Sequence, residues 1–163
     1  MLIYKIIGGG SIVVSALIFY FESQAYNKKA LAQLDAYINL IEYIKNQVCC
    51  FLTPIDIILN NCDVEILKNC VMGEVSEPKI LKTVGDIIDA SYFYIEQDAL
   101  AVIKRFGSDF GTIYRDEQLI SCDLYIDELK SIKSKKKENF EKEKKVRLAL
   151  CVCLSVSMIL LLI

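Results

Sequence analysis

Apolar positions divide the chain into three parts. Residues 6–21 (IIGGGSIVVSALIFYF) and 148–163 (LALCVCLSVSMILLLI) carry no charge, whereas residues 22–147 mix apolar and charged positions. In this middle part the apolar residues recur every three or four positions, the period of a helix with one buried face. Leu31, Leu34, Ile38, Ile41, Ile44 and Val48 form the first stripe and continue the helix of the first apolar run. Thr53 then fits a cap, Pro54 a first helical turn and Asp56 the positive end of the helix dipole. Ile55, Ile58, Leu59, Cys62, Ile66 and Leu67 make the next face, with a break expected near Asn60-Asn61.

Residues 72–78 read as a loop, with Gly73 as a helix stop and Ser76 and Pro78 as a new start. Ile80, Leu81, Val84, Ile87 and Ile88 follow as a stripe, in which Gly85 marks either close packing or a weak point. Ser91 fits the cap of a helix carrying Ile95, Ala99, Val102, Ile103 and Phe106 and ended by Gly107. Residues 107–112 are the strongest turn signal in the chain. Beyond them Leu119, Cys122, Ile126, Leu129 and Ile132 keep a heptad-like spacing, and neither Pro nor Gly follows. This predicts one helix of about 50 residues, from near Asp116 through the second apolar run.

The fold class is therefore all-α: an antiparallel helical bundle flanked by an N-terminal and a C-terminal transmembrane helix. The expected parts are a membrane span in 1–21, a helical bundle with a Lys-rich juxtamembrane helix in 22–147, and a second span in 148–163. The middle part is long enough for one hydrophobic core. Each apolar run has 16 residues, short of the ~20 that cross a bilayer comfortably, so Lys5 and Arg147 are expected to snorkel to the headgroups. A cleaved signal peptide is the alternative for the first run, with Ser23-Gln24-Ala25 as its cleavage site. The single Lys ahead of the run and the helix-weakening Gly8-Gly9-Gly10 argue against it. Small residues four apart (Ser11 and Ser15; Ala149, Cys153 and Ser157) would let spans approach closely.

Charge sets the orientation. Residues 130–147 hold nine Lys/Arg against three Glu, a net of +6, while the remainder of the chain carries −8. Basic residues beside a span stay in the cytoplasm, which places the middle domain there. Lys28 and Lys29 agree, and Lys5 opposes weakly. Lys133, Lys135, Lys136, Lys137, Lys144, Lys145 and Arg147 are candidates for facing anionic lipid headgroups. The basic run also suits an acidic partner. No aromatic platform accompanies it, which disfavours nucleic acid.

Little in the sequence carries chemistry. There is no His, no Ser or Cys with a visible base, and no Gly loop followed by Lys-Ser/Thr. Seven Cys with an adjacent pair, Cys49-Cys50, make a poor disulfide framework and fit a reducing compartment. No metal, cofactor or small-molecule substrate is expected, and the chain reads as non-enzymatic.

Thr53-Pro54-Ile55, Phe106-Gly107-x-x-Phe110-Gly111 and Arg115-x-x-Gln118 ahead of a long charged helix together resemble the stage III sporulation protein AB family of endospore-forming bacteria. The order of parts matches as well, down to a terminal run ending Ile159-Leu160-Leu161-Leu162-Ile163. Four positions depart from the family pattern. Cys50-Phe51 stands where Tyr-Gly is usual, Tyr114 where Asp is, and Cys151 where a Gly opens the terminal span.

The resemblance implies a soluble domain similar to the cytoplasmic domains of the type II secretion inner-membrane protein F. It implies a non-enzymatic platform in a secretion-like channel between mother cell and forespore, in the mother-cell membrane around the forespore. The implied partners are the ATPase of the same operon, stage III sporulation protein AA, and other membrane proteins of that operon. Gly111, Arg115 and Gln118 are the candidates for a functional turn. Two alternatives remain at this point. One is an unrelated membrane-tethered interaction or lipid-binding module. The other is a thiol-redox protein using Cys49-Cys50, which adjacent cysteines bridge only through a strained eight-membered ring.

Overall fold

The computed structural model describes residues 2–51, 55–73, 83–110 and 114–162. Helices account for nearly all of them, and no strand occurs among the described residues. The order is α1 (Leu2–Phe51), α2 (Ile55–Asn60), α3 (Val64–Val71), α4 (Val84–Ala90), α5 (Gln97–Asp109) and α6 (Arg115–Leu162). The two long helices are as expected: α1 has 50 residues and α6 has 48, starting one residue before Asp116. The chain forms two compact units. One is Lys29–Lys135; the other joins Met1–Lys28 to Lys136–Ile163.

Within Lys29–Lys135 the core is built from one face of each helix. Leu34, Tyr37, Ile41 and Ile44 of α1 are buried, as are Ile58 and Leu59 of α2, Ile87 of α4, Ile103 and Phe106 of α5, and Cys122, Ile126 and Leu129 of α6. Each fully buried Leu, Ile or Phe contributes roughly 1.5–3 kcal/mol. Three ion pairs join α1 to α6 along the rim of this core. Lys45 meets Asp123 at 2.5 Å, Lys130 meets Glu42 at 2.8 Å, and Lys133 meets Asp35. The α6 partners advance as the α1 partners recede, so these segments run antiparallel. The pairs are solvated, so each contributes about 0–1 kcal/mol and fixes register more than stability.

The short helices show where local chemistry departs from the apolar pattern. The break after Asn60 falls where expected, and Asp63 caps α3 by accepting the Glu65 N–H at 2.9 Å. At the end of α3, Met72 takes the left-handed conformation (φ 52°) and its N–H donates to the Lys68 carbonyl at 2.9 Å. Gly73 was the expected stop; the helix instead turns one residue earlier. The expected starts at Ser76 and Pro78, and Ile80 and Leu81 of the next stripe, lie outside the described residues, as do Thr53 and Pro54.

Thr83 caps α4 in a reciprocal box: its hydroxyl accepts the Asp86 N–H at 3.1 Å, and the Asp86 carboxylate accepts the Thr83 N–H at 2.9 Å. Ser91 closes α4 and does not open α5. Its hydroxyl donates back to the Ile87 carbonyl at 2.6 Å, and α5 begins at Gln97 after Glu96. Gly107 lies inside α5, which runs on to Asp109. A Cβ there would sit 3.0 Å from Ile88 Cδ1 and 3.5 Å from Val84 Cγ1, so this glycine serves the α4–α5 crossing. Gly85 does not: a Cβ there would meet only Thr83 Oγ1, at 3.5 Å.

In the terminal unit, the Arg147 guanidinium of α6 donates to the Ser23 hydroxyl of α1 and to the Glu143 carboxylate, the latter at 3.1 Å. Its guanidinium lies 6.0 Å from the Phe19 ring centroid. Ser11, Ser15, Ala149, Cys153 and Ser157 are exposed, and the hydroxyls of Ser15 and Ser157 return to the carbonyls of Ser11 and Cys153 at 2.8 and 2.9 Å. Among the described residues no helix is long and apolar enough to cross a membrane. Many side chains of both apolar runs lie outside those described, including 6–9, 12, 13 and 16 in the first run and 158–163 in the second. The remaining runs fall below the ~20 residues that a bilayer core requires.

Candidate docking surface

The sequence singled out Gly111, Arg115 and Gln118. Gly111 lies outside the described residues. Arg115 is the first residue of α6, and its side chain lies outside the described residues. Gln118 is 9% exposed, so it sits on the buried side of α6; its N–H donates to the Tyr114 carbonyl at 2.8 Å. It belongs to the first turn of the helix and faces inward.

Part of the predicted basic surface is tied to neighbouring side chains. Lys133 is engaged by Asp35, and Arg147 by Ser23 and Glu143. Lys142 pairs with Glu138 at 2.6 Å, one turn away, which holds the Glu138 carboxyl below its usual range. Lys135, Lys137, Lys144 and Lys145 are exposed, and Lys136 is half-buried. A crevice of about 10 Å³ in the terminal unit is lined by Ser23, Asn27, Glu143, Lys144 and Arg147 among others. That is room for about one water molecule and too little for a metabolite. Among the described residues no group of His, Cys, Asp and Glu is placed to hold a metal ion.

The three buried thiols are chemically quiet. Burial pushes Cys62 and Cys122 up from 9.0 to about 11, and raises Cys70 further. Thiols held that high carry little thiolate near neutral pH. Cys49 is exposed, and the side chain of Cys50 lies outside the described residues.

Two features escaped the sequence reading. The first is Gln33, fully buried on α1. Its amide nitrogen donates to the carbonyls of Cys70 (2.8 Å) and Tyr92 (2.9 Å), and its oxygen accepts the Tyr94 N–H at 2.9 Å. One side chain thereby satisfies three backbone groups between α3 and α5. Tyr37 adds a bond from its hydroxyl to that of Ser91 at 2.9 Å, and the Tyr92 N–H donates to the Val71 carbonyl at 2.8 Å. The segment 91–95 is thus held against α1 by polar bonds, while Tyr92 remains 62% exposed.

The second is the solvent side of α6. Ile120 is 63% exposed and Leu124 65% exposed, one turn apart, with Asp116, Glu117 and Asp127 exposed around them. At ~100° per residue these positions fall on one face, opposite buried Cys122, Ile126 and Leu129. Asp123 lies at the edge of the same face and is held by Lys45. The signal was present in the sequence: two branched apolar residues stand outside the heptad-like stripe of the same helix. Tyr114, 85% exposed, precedes them where the chain enters α6.

No curated protein matches the chain, and no solved structure does. A protein-family model does: stage III sporulation protein AB, over residues 79–163. That match spans just over half of the 163-residue chain and takes in α4, α5 and α6 with the glycine crossing, the α6 entry and the terminal apolar run. The chain belongs to the stage III sporulation protein AB family.

Proposed function

We propose that the chain, to which family membership gives a sporulation-related role, acts as a non-enzymatic, membrane-held platform of a secretion-like channel between mother cell and forespore. Its helical unit faces the mother-cell cytoplasm and couples the ATPase of the same operon, stage III sporulation protein AA, to other membrane proteins. The observation that carries this reading is the pair of long helices. Both α1 and α6 are shared between the two units, and each has its apolar run in the terminal one. A contact made on the Lys29–Lys135 unit is then linked to the apolar ends by continuous backbone.

Several facts support the membrane part. The apolar run of α6 is preceded by Lys144, Lys145 and Arg147, and that of α1 is followed by Lys28 and Lys29. Each run is short, so the bilayer thins locally or Lys5 and Arg147 extend to the headgroups. Exposed lysines near an anionic surface add about 1 kcal/mol each. A type II secretion F-like arrangement of the helical unit is part of the same proposal.

Copurification tests the reading. The full chain, solubilised from sporulating cells, should retain the operon's ATPase. Arg115→Ala should reduce that retention while leaving the helical content unchanged. Retention equal to an unrelated membrane protein would sink the coupling role; retention unchanged in Arg115→Ala removes Arg115 from the contact.

A further inference from the structure

We infer that the solvent face of α6 from Asp116 to Asp127 docks a basic amphipathic helix of a partner protein. The inference rests on the platform reading in requiring a protein partner, and it states which face meets that partner and by what chemistry. Ile120 and Leu124 form an apolar pair on the side of α6 turned away from the core, 63% and 65% exposed. Two branched side chains one turn apart are the i, i+4 pair by which helices seat one another. Their neighbours on the same face are carboxylates: Asp116, Glu117 and Asp127, all exposed, with Asp123 at the edge.

Charge complementarity selects the occupant. The Lys29–Lys135 unit holds seventeen Asp/Glu against eleven Lys/Arg. Asp123, at the edge of the face, is neutralised by Lys45, which leaves Asp116, Glu117 and Asp127 to frame the apolar pair. A partner helix with an apolar stripe and Lys or Arg along its flanks covers Ile120 and Leu124 and places its cations over those carboxylates. An acidic helix or a bare anionic membrane is repelled from the same face. Electrostatic matching of this kind sets orientation and encounter rate, and burial of the pair holds the complex.

The test uses the full chain in neutral maltoside micelles and two labelled synthetic helices. Both have the same Leu stripe; one is flanked by Lys and the other by Glu. Fluorescence anisotropy reads binding, with the signal of empty micelles subtracted. The Lys helix should bind roughly tenfold more tightly than the Glu helix, a preference that added salt reduces. D116N/E117Q/D127N should erase the preference, and I120S/L124S should weaken the Lys helix roughly tenfold. All five positions are exposed, so both variants should keep the wild-type circular dichroism spectrum.

Equal affinity for the two helices, or an affinity unchanged in I120S/L124S, overturns the inference. A fall in the chain's own oligomeric size in I120S/L124S without peptide, read by light scattering, also overturns it and assigns the face to a second copy. Failure here is separable from failure of the platform reading. ATPase retention that survives I120S/L124S removes only this face, whereas loss of retention by the wild-type chain removes the platform reading.

Discussion

The amide oxygen of Gln33 accepts the backbone N–H of Tyr94 at 2.9 Å, across 61 positions of sequence. Its amide nitrogen serves two more backbone groups, the carbonyls of Cys70 and Tyr92. A buried polar side chain with every atom matched ties three chain segments together, and its removal leaves three backbone groups without that partner. Gln33→Ala should therefore lower the unfolding free energy by roughly 2–4 kcal/mol, more than an exposed polar substitution does. Chemical denaturation of the full chain in micelles, followed by circular dichroism, checks this. A loss below about 0.5 kcal/mol would show that water or a neighbour replaces the amide.

Two glycines in helices make opposite demands. A Cβ at Gly107 would lie 3.0 Å from Ile88 Cδ1, whereas one at Gly85 would meet only Thr83 Oγ1, at 3.5 Å. Gly85→Ala should be neutral or stabilise by up to ~1 kcal/mol, the helix-propensity gain. Gly107→Val should destabilise by roughly 1–3 kcal/mol through overpacking against α4. Thermal unfolding of both variants beside the wild type orders them; the reverse order would contradict the close α4–α5 crossing.

The reciprocal cap of α4 gives a third expectation. Thr83→Ala removes the acceptor of the Asp86 N–H and should cost about 1 kcal/mol. Thr83→Ser keeps the oxygen and should restore most of it. Equal loss in both would assign Thr83 a packing role.

Alkaline pH should weaken the fold. Burial raises Cys62 and Cys122 from 9.0 to about 11, and burial together with the bond to Asp109 raises Tyr125 from 10.0 to about 12. Burial also raises Cys70 and Tyr37. The folded chain holds these protons more tightly than the unfolded one. The stabilising contribution is complete below the unfolded values and is lost as pH rises through the folded ones. The denaturation midpoint should thus stay level up to pH 9.0 and fall toward about 11 to 12. A midpoint level across that window would mean the thiols and phenol are solvated in the folded state.

The long helices were legible because they rest on period alone. Leu119, Cys122, Ile126 and Leu129 without an intervening breaker lead to α6, and the stripe from Leu31 to Val48 leads to α1. The short elements were less so, because competing side-chain bonds decide them. Ser91 looks like a helix start, yet its hydroxyl is spent on the Ile87 carbonyl at the end of α4. Gly107 looks like a stop, yet its missing Cβ admits Ile88. Gln33 lies beside an apolar stripe and reads as solvated, because its three partners come from chain segments distant in sequence. Of the expected functional turn, only Gln118 can be placed by its side chain, and it faces inward.

The most direct test of the platform account is topology. A single reporter cysteine at Lys135, in a chain whose native cysteines are replaced by Ala, is labelled with a membrane-impermeant maleimide. Lys135 is exposed, so the reporter is reachable wherever it lies. The cysteine-free chain gives the background. Labelling only after permeabilisation is the predicted result and places the helical unit in the cytoplasm, where an ATPase can meet it. Labelling in intact cells would contradict the account and exclude direct contact with a cytoplasmic ATPase.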